Sequence, residues 1–454
     1  MYITTNFKDE GSFIVVKIRK IRKMVAGLSA MTMVFALTAC GGGSGSSSAS
    51  SSSPQPTATP AAVSATPGPV TDELKPEAGA SLVIWESKEA RPYLEEIMKE
   101  FTAKYDVKVK IEELGAGDQI GKLTTDGPAG VAADVVMLPH DQLGKAVSAG
   151  LVLPNDVYGE VTTKENSEVA VKAASFGGKL YGYPKSVETY ALIYNKDLVK
   201  TPPKTFDEVT AFAKTYNDPK NNKYAFMWEA GNFYFNYLFL ATTGGYVFGN
   251  NGTDKNDIGL NNDGAVKGAQ FYGSLAKDLL PMKSGDATYD IKKGLFTAGT
   301  LAMDINGPWT IGDYKKSGVN FGVAPIPSID GKPSVSFSGV KAWYVNAFSK
   351  YPNAARLFAR FASTKEAQMQ DFKLTGALPS NKEAAQDPII KNDELVTGFL
   401  QQFEHSYPMP AIPEMGSVWE PMAAAMSDIW NNGKDAKAAL DNAVQQIKDA
   451  TAKK

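Results

Sequence analysis

Residues 181–198 read YGYPKSVETYALIYNKDL, and most of the chain can be hung on this stretch. Gly177-Gly178 precedes it and Asn195-Lys196-Asp197 closes it, both turn-prone. Between them Tyr190-Ala191-Leu192-Ile193-Tyr194 is an apolar run rich in aromatic and β-branched residues, the pattern of a buried strand. One carboxylate, Glu188, stands at its entrance. A carboxylate among so many apolar neighbours needs a partner, because an unpaired buried charge is costly. A salt bridge, a backbone N–H or a ligand's hydroxyl groups would each supply one.

Working outward, the folded body opens with Ser81-Leu82-Val83-Ile84-Trp85, a strand. A helix follows, with Tyr93, Leu94, Ile97, Met98, Phe101 and Tyr105 at helical spacing. Val107–Ile111 alternates like a half-exposed strand, and Asp134–Leu138 is a further strand. Asp141–Ala149 reads as a helix stopped by Gly150. Strand–helix–strand order implies right-handed crossovers and a parallel sheet, whose ligands bind outside the carboxyl ends of the strands. That puts the segments after Trp85 and Leu138 at one rim. Beyond the opening stretch, Thr205-Phe206-Asp207-Glu208 is a capping box. Asn232–Tyr237 is the densest aromatic cluster, Leu301–Ile305 a strand, and residues 419–454 an Ala-rich helical tail.

The chain has 454 residues, too many for one compact domain, and a net charge of −2 with no basic excess that would suggest nucleic acid. Its start is a targeting segment. Lys17, Arg19, Lys20, Arg22 and Lys23 form a basic block, and Met24–Ala39 runs 16 residues without a charge. That is short for a spanning helix and right for a signal-peptide core. It ends Leu37-Thr38-Ala39-Cys40, which resembles the bacterial lipobox and implies cleavage before a lipidated Cys40. Cys40 is the only cysteine, so no disulfide can form within the chain. Residues 1–39 are the expected lipoprotein signal peptide, and their loss leaves a mature chain of −6. Residues 40–80 are a Gly/Ser run followed by Pro-Thr-Ala repeats, expected to form a disordered tether between lipid and body.

No phosphate loop and no nucleophile elbow occurs in the body, and the two histidines, His140 and His405, lack metal-ligand spacing. Neither a metal nor a cofactor is expected. What the body carries is aromatic rings and scattered carboxylates at the expected rim. A pyranose has an apolar C–H face that stacks on a ring, and hydroxyls that bond strongly to carboxylates. Six tryptophans are available, at 85, 228, 309, 343, 419 and 430. Trp343, inside Val340-Lys341-Ala342-Trp343-Tyr344-Val345, reads as core.

Four stretches, YGYPKSVETYALIYNKDL, Asn306-Gly307-Pro308-Trp309, Val319–Val323 and Met409–Trp419 (MPAIPEMGSVW), together resemble the maltose- and maltodextrin-binding proteins, the solute receptors of ABC importers. The likeness covers the chain from about Ser81 onward. It implies an α/β fold of the two-lobed periplasmic-binding-protein-like type (type II), with a ligand cleft between lobes joined by hinge crossings. One lobe would comprise residues 81–187 plus 341–392, the other 188–340 plus 393–454. It also implies stacking platforms at Trp309, Trp419 and Tyr234, with Phe233 and Asn232 beside the last. Hydroxyl-binding carboxylates would be Glu188 and Asp141. An Asp-Lys pair of the enterobacterial members corresponds, as a region, to Glu86, Lys88 and Glu89. Departures are visible. Leu138, Gln142, Asn232 and Ala423 stand where the enterobacterial type has a tryptophan, an arginine, a glutamate and an arginine. The pocket keeps its rings with fewer charged contacts. Gram-positive members look closer.

The resemblance implies a monomeric, lipid-anchored receptor on the outer face of the cell membrane. It would capture a maltodextrin-type oligosaccharide and hand it to an ABC permease, with no catalytic residues. A receptor for another oligosaccharide shares every one of these features. A glycoside hydrolase would need two carboxylates roughly 5–10 Å apart across a bond. Glu188 and Asp141 are the pair that could converge, and nothing in the sequence marks either as a raised-pKa acid.

Overall fold

A computed structural model describes residues 74–452. The expected signal peptide, Cys40 and most of the expected tether lie outside the described residues. The last part of that segment is folded onto the body. Glu77 accepts hydrogen bonds from Asn353 N and Ala354 N at 2.8 and 3.0 Å, capping the helix Pro352–Phe361. Leu74 packs against the core beside it, so the body begins earlier than composition alone indicates.

Among the described residues thirteen strands occur in chain order: β1 (Ser81–Glu86), β2 (Lys108–Glu113), β3 (Val135–Pro139), β4 (Ser175–Phe176), β5 (Lys179–Leu180), β6 (Tyr183–Thr189), β7 (Ala191–Asn195), β8 (Tyr224–Met227), β9 (Leu301–Asn306), β10 (Phe321–Ala324), β11 (Ser336–Val345), β12 (Leu378–Pro379) and β13 (Ser406–Pro408). They make two principal sheets. The first runs β12-β6-β11-β3-β1-β2, with β13 beside β11, and the second runs β10-β7-β9-β8. β1 pairs parallel with β2 and β3, as the strand–helix–strand order predicts. The sheet is nonetheless mixed, because β11 lies antiparallel to both β3 and β6. A strand arriving from the other lobe is bound by no crossover helix and is free to run either way.

Alternation decides which face each residue covers. Ile84, Val135, Met137 and Trp343 point into one core with Tyr93, Phe101 and Phe358. Trp85, Val136, Leu138 and Tyr344 point into the opposite core with Leu123 and Leu143. The second sheet buries both faces under a larger cluster that includes Leu192, Phe226, Trp228 and Phe239.

The chain passes between the sheets at Tyr190, the single residue separating β6 from β7. Thr189 Oγ1 donates to Phe337 O at 2.8 Å and lies 2.7 Å from Ser336 Oγ. Tyr190 OH accepts from Phe337 N at 3.2 Å. The crossing is thus stitched to the start of β11, where residues 325–335 bring the chain back from β10. After β12 the helix Glu394–Phe403 packs on β10 and then feeds β13 beside β11. β11 is continuous across position 341, where the lobes were expected to divide.

Below the cleft, Lys292 and Asp304 form a fully buried ion pair at 2.8 Å. Lys292 Nζ also donates to Ile305 O at 3.1 Å. Asp304 Oδ2 accepts from Tyr314 OH and from Asn306 Nδ2 at 2.5 and 2.9 Å. Breaking such a pair from one side leaves a buried charge unmatched. Lys292→Met is expected to destabilise the body by about 3–5 kcal/mol. Lys292→Met combined with Asp304→Asn should recover part of that loss. Urea unfolding of the single and double variants checks both.

Candidate functional site

A cleft of about 540 Å³ opens at the rim of the two sheets. Side chains from both line it: Ser87, Glu89, Asp141, Gln142, Glu188 and Lys341 from the first, Glu229, Asn232, Tyr234, Tyr289 and Trp309 from the second. Met409 and Trp419, from the segment after β13, also line it. A smaller pocket of about 30 Å³ adjoins it, between Glu86, Lys185, Pro308 and Thr375.

Glu188 lies near the end of β6 and its carboxylate pairs with Lys341 Nζ at 2.7 Å. Lys341 comes from the neighbouring strand β11, where the register with β6 shifts between Lys341 and Ala342. Such a bulge re-aims a side chain, and the Lys341 ammonium lies 4.8 Å from the centroid of the Trp309 ring. Glu188, Lys341 and Trp309 therefore form one polar-aromatic group spanning the two sheets.

Trp309 follows β9 in a single turn of 3₁₀ helix. Asn306 Oδ1 accepts from Gly307 N at 3.0 Å, and Thr310 Oγ1 donates to Gly307 O at 2.9 Å. The indole folds back over Gly307, where an added Cβ would meet ring atoms at 2.0–2.4 Å. Only glycine leaves room for this orientation. The ring thus rests on the turn that the Lys292–Asp304 pair anchors from beneath.

Asp141 follows β3 in the 3₁₀ turn His140–Gln142 rather than in a continuous α-helix. His140 fixes that turn. Its Nε2 bonds Met409 O at 2.9 Å and its Nδ1 accepts from Val340 N at 3.3 Å. Burial holds the imidazole down to about 4, so the ring is neutral. Asp141 is 3 % exposed, and burial pushes its carboxyl up to about 7. Asp141 Oδ2 accepts from Gln142 Nε2 at 3.0 Å, while Oδ1 has no hydrogen-bond partner. Trp419 N–H is near enough to favour the ionised carboxylate, yet it too finds no acceptor in hydrogen-bonding geometry.

Asn232 caps the helix Phe233–Thr243, its Oδ1 accepting from Tyr234 N at 3.0 Å. The cap turns Tyr234 toward the cleft, against Tyr190 and Trp309, with its hydroxyl buried and unpartnered. Phe233 faces away. It is buried behind Trp419 and Phe337 and supports those rings without lining the cleft.

The loop after β1 divides. Glu89 lines the cleft. Glu86 is buried at the edge of the small pocket, where Oε2 pairs with Lys185 at 3.2 Å and Oε1 accepts from Ser87 N at 2.9 Å. Lys185 also pairs with Asp371 at 3.0 Å, so one ammonium neutralises two carboxylates. Lys88 does not line the cleft; it reaches over the rim to Asp290 at 2.5 Å.

Sequence reasoning missed Lys341, Glu229 and Tyr289. A lone lysine inside the apolar run Val340–Val345 was the available signal for Lys341. Tyr289, whose buried hydroxyl lacks a partner, gave none. Among the described residues no group of three His, Cys, Asp or Glu is placed to hold a metal ion. No helix among them is long and apolar enough to cross a membrane.

This chain is similar to proteins named for oligosaccharide binding. A Bacillus subtilis galactooligosaccharide-binding protein is 35 % identical over 378 residues, covering 82 % of this chain and 89 % of the relative. A Streptococcus pneumoniae maltooligosaccharide ABC transporter solute-binding lipoprotein is 35 % identical over 385 residues, with the same coverage. A solved cyclo/maltodextrin-binding protein in complex with maltotetraose is 42 % identical at a TM-score of 0.65, covering 82 % of this chain and 97 % of that one. These likenesses establish the two-lobed receptor fold, with its cleft between lobes joined by crossing strands. Residues 96–398 match the family described as bacterial extracellular solute-binding protein, whose members bind rather than transform their ligands, and this chain belongs to that family.

Proposed function

We propose that the chain is a lipid-anchored extracellular receptor that captures maltodextrin-type oligosaccharides for an ABC importer. One observation carries the reading. The cleft combines exposed faces of Trp309, Trp419 and Tyr234 with buried polar atoms that no protein group satisfies: Asp141 Oδ1, Tyr234 OH, Tyr289 OH and Trp419 Nε1. Buried polar atoms are nearly always paired. A ligand with apolar faces and many hydroxyl groups supplies what both sets lack. Relatives named for maltooligosaccharide and the 42 % identical maltotetraose complex support an α-glucan. The equal identity to a galactooligosaccharide-binding protein supports a second reading, a receptor for that class.

The binding residues in this reading are Glu188, Asp141, Trp309, Trp419, Tyr234, Asn232 and Glu89, with Lys341 orienting Glu188. Ligand closes the lobes, taken as residues 81–187 plus 341–392 and 188–340 plus 393–454, by favouring the closed arrangement over the open one. The lipobox ending at Cys40, and the name lipoprotein carried by the pneumococcal relative, support anchoring through residues 40–80.

Calorimetric titration with maltotriose, maltotetraose and a β-galacto-oligosaccharide tests the ligand. Saturable binding of the glucans and not of the galactan is expected. Preference for the galactan would replace the first reading by the second. Trp309→Ala and Trp419→Ala should each weaken glucan binding by about 1–3 kcal/mol through loss of apolar contact. Unchanged affinity would remove that ring from the site.

Asp141 carries a pH signature. Its carboxyl titrates near 7 when folded and near 3.8 when unperturbed. Between those values the folded chain holds a proton that the unfolded chain has released, so stability falls as pH rises through the window. Asp141→Asn should therefore be more stable than the parent at pH 8, by about 1–4 kcal/mol, with no such gain below pH 4. It should also bind sugar more weakly. Thermal unfolding across pH and calorimetry read the two effects. In cells, Cys40→Ala should abolish membrane attachment or leave an uncleaved precursor, read by fractionation and immunoblot.

A further inference from the structure

We propose that Glu229 is a sugar-binding carboxylate that sets the cleft's preference for neutral, hydroxyl-rich units. The inference rests on the receptor reading above and adds a residue and a selectivity to it.

Glu229 follows β8 and lines the cleft near Asn232 and Tyr289. Its neighbours in sequence are immobilised. Trp228 is fully buried with Nε1 donating to Asn236 Oδ1 at 2.8 Å. Ala230 O accepts from both Tyr272 OH and Asn236 Nδ2, at 2.7 and 2.8 Å. The Glu229 carbonyl accepts from Asn232 N at 2.9 Å. The backbone therefore presents this side chain to the cleft from a fixed base.

Of the other carboxylates around the cleft, Glu89 and Asp118 line it without an ion pair, and the rest are engaged. Glu188 pairs with Lys341, Glu86 and Asp371 with Lys185, and Asp304 with Lys292. Asp141 takes the amide of Gln142. Glu229 has only Asn232 Nδ2 at 3.5 Å, the limit of a hydrogen bond. Burial pushes the Glu229 carboxyl above its usual range and Lys292 opposes that shift, but the ammonium itself donates to Asp304 and to Ile305 O. A carboxylate can accept about four hydrogen bonds, so Glu229 retains most of its capacity and is directed at the space a ligand fills.

Glu89 reaches the same cleft from the first sheet, and its charge acts on Glu229. Two carboxylates on opposing lobes attract hydroxyl donors and repel an anion. A neutral sugar unit donating to both relieves their mutual repulsion on closure, whereas a uronate or phosphorylated unit increases it.

The test is calorimetry at pH 8 with maltotriose and with a maltotriose carboxylated at C6, on the parent and on Glu229→Gln. The variant keeps the shape and removes the charge; matching thermal unfolding confirms an intact fold. For the parent, binding of neutral maltotriose and poor binding of the carboxylated sugar are expected. For Glu229→Gln, maltotriose should bind about tenfold or more weakly, the size of a charged hydrogen bond, and the neutral-to-anionic preference should shrink. Maltotriose affinity within twofold of the parent would overturn the inference and leave the receptor reading standing. Weaker binding with an unchanged preference would make Glu229 a structural support and also overturn it. A parent that binds neither maltotriose nor maltotetraose would remove the glucan reading and this inference together.

Discussion

Everything in this structure depends on a crossing one residue long. β6 belongs to one sheet, β7 to the other, and Tyr190 alone separates them. So short a link leaves no slack, and the two sheets must meet where their strands end. The crossing is also fastened. Thr189 and Tyr190 bond to Ser336 and Phe337 on the strand returning from the second sheet. Phe337 in turn stacks on Tyr237 with ring centroids 3.6 Å apart, tying the returning strand to the helix that carries Tyr234. The residues that join the lobes are thus the residues that support the cleft's rings. Any change in the angle between the lobes passes directly to the surface a ligand touches.

Charge is arranged in two ways around this axis. Lys185 and Lys292 are buried cations that each hold carboxylates under the cleft floor, and removal of either member would leave a charge in an apolar interior. They stiffen the loop after β1 and the turn before Trp309. The cleft wall follows the opposite rule. Asp141, Tyr234, Tyr289 and Trp419 each keep a buried polar atom without a partner. A folded chain tolerates such atoms at the expense of stability; Tyr183, Trp343 and Tyr344 keep others in the scaffold, but the four at the cleft stand where a ligand can reach them.

The strands were legible because apolar runs of four to six residues allow little else. Which core Ile84 or Trp85, Val135 or Val136, enters came only with the structure. The rings after Asn306-Gly307-Pro308 and after MPAIPEMGSV were legible as a family pattern. The antiparallel placement of β11 was not, because strand direction is set by where the chain returns from, and no local residue encodes that. Lys341 was hidden for a similar reason. Its position beside Glu188 depends on the β6–β11 register and a bulge within it, both long-range properties. Phe233 and Tyr234 differ by one residue and face opposite ways. Composition treats them as one cluster, and only the cap at Asn232 fixes which ring turns outward. Glu86 and Lys88 entered as pocket groups only through the regional family likeness, and each meets an opposite charge that lies far away in sequence.

The distribution of the six indoles has an optical consequence. Trp85, Trp228, Trp343 and Trp430 are 5 % exposed or less. They sit in the hydrophobic cores and do not line the cleft. Trp309 and Trp419 are partly exposed on the cleft wall, the first beside an ammonium and the second beside Asp141. Emission from this protein is therefore a constant, blue-shifted background from four chromophores under a variable signal from two. A change in colour, rather than in total brightness, is the quantity that tracks what happens between the lobes.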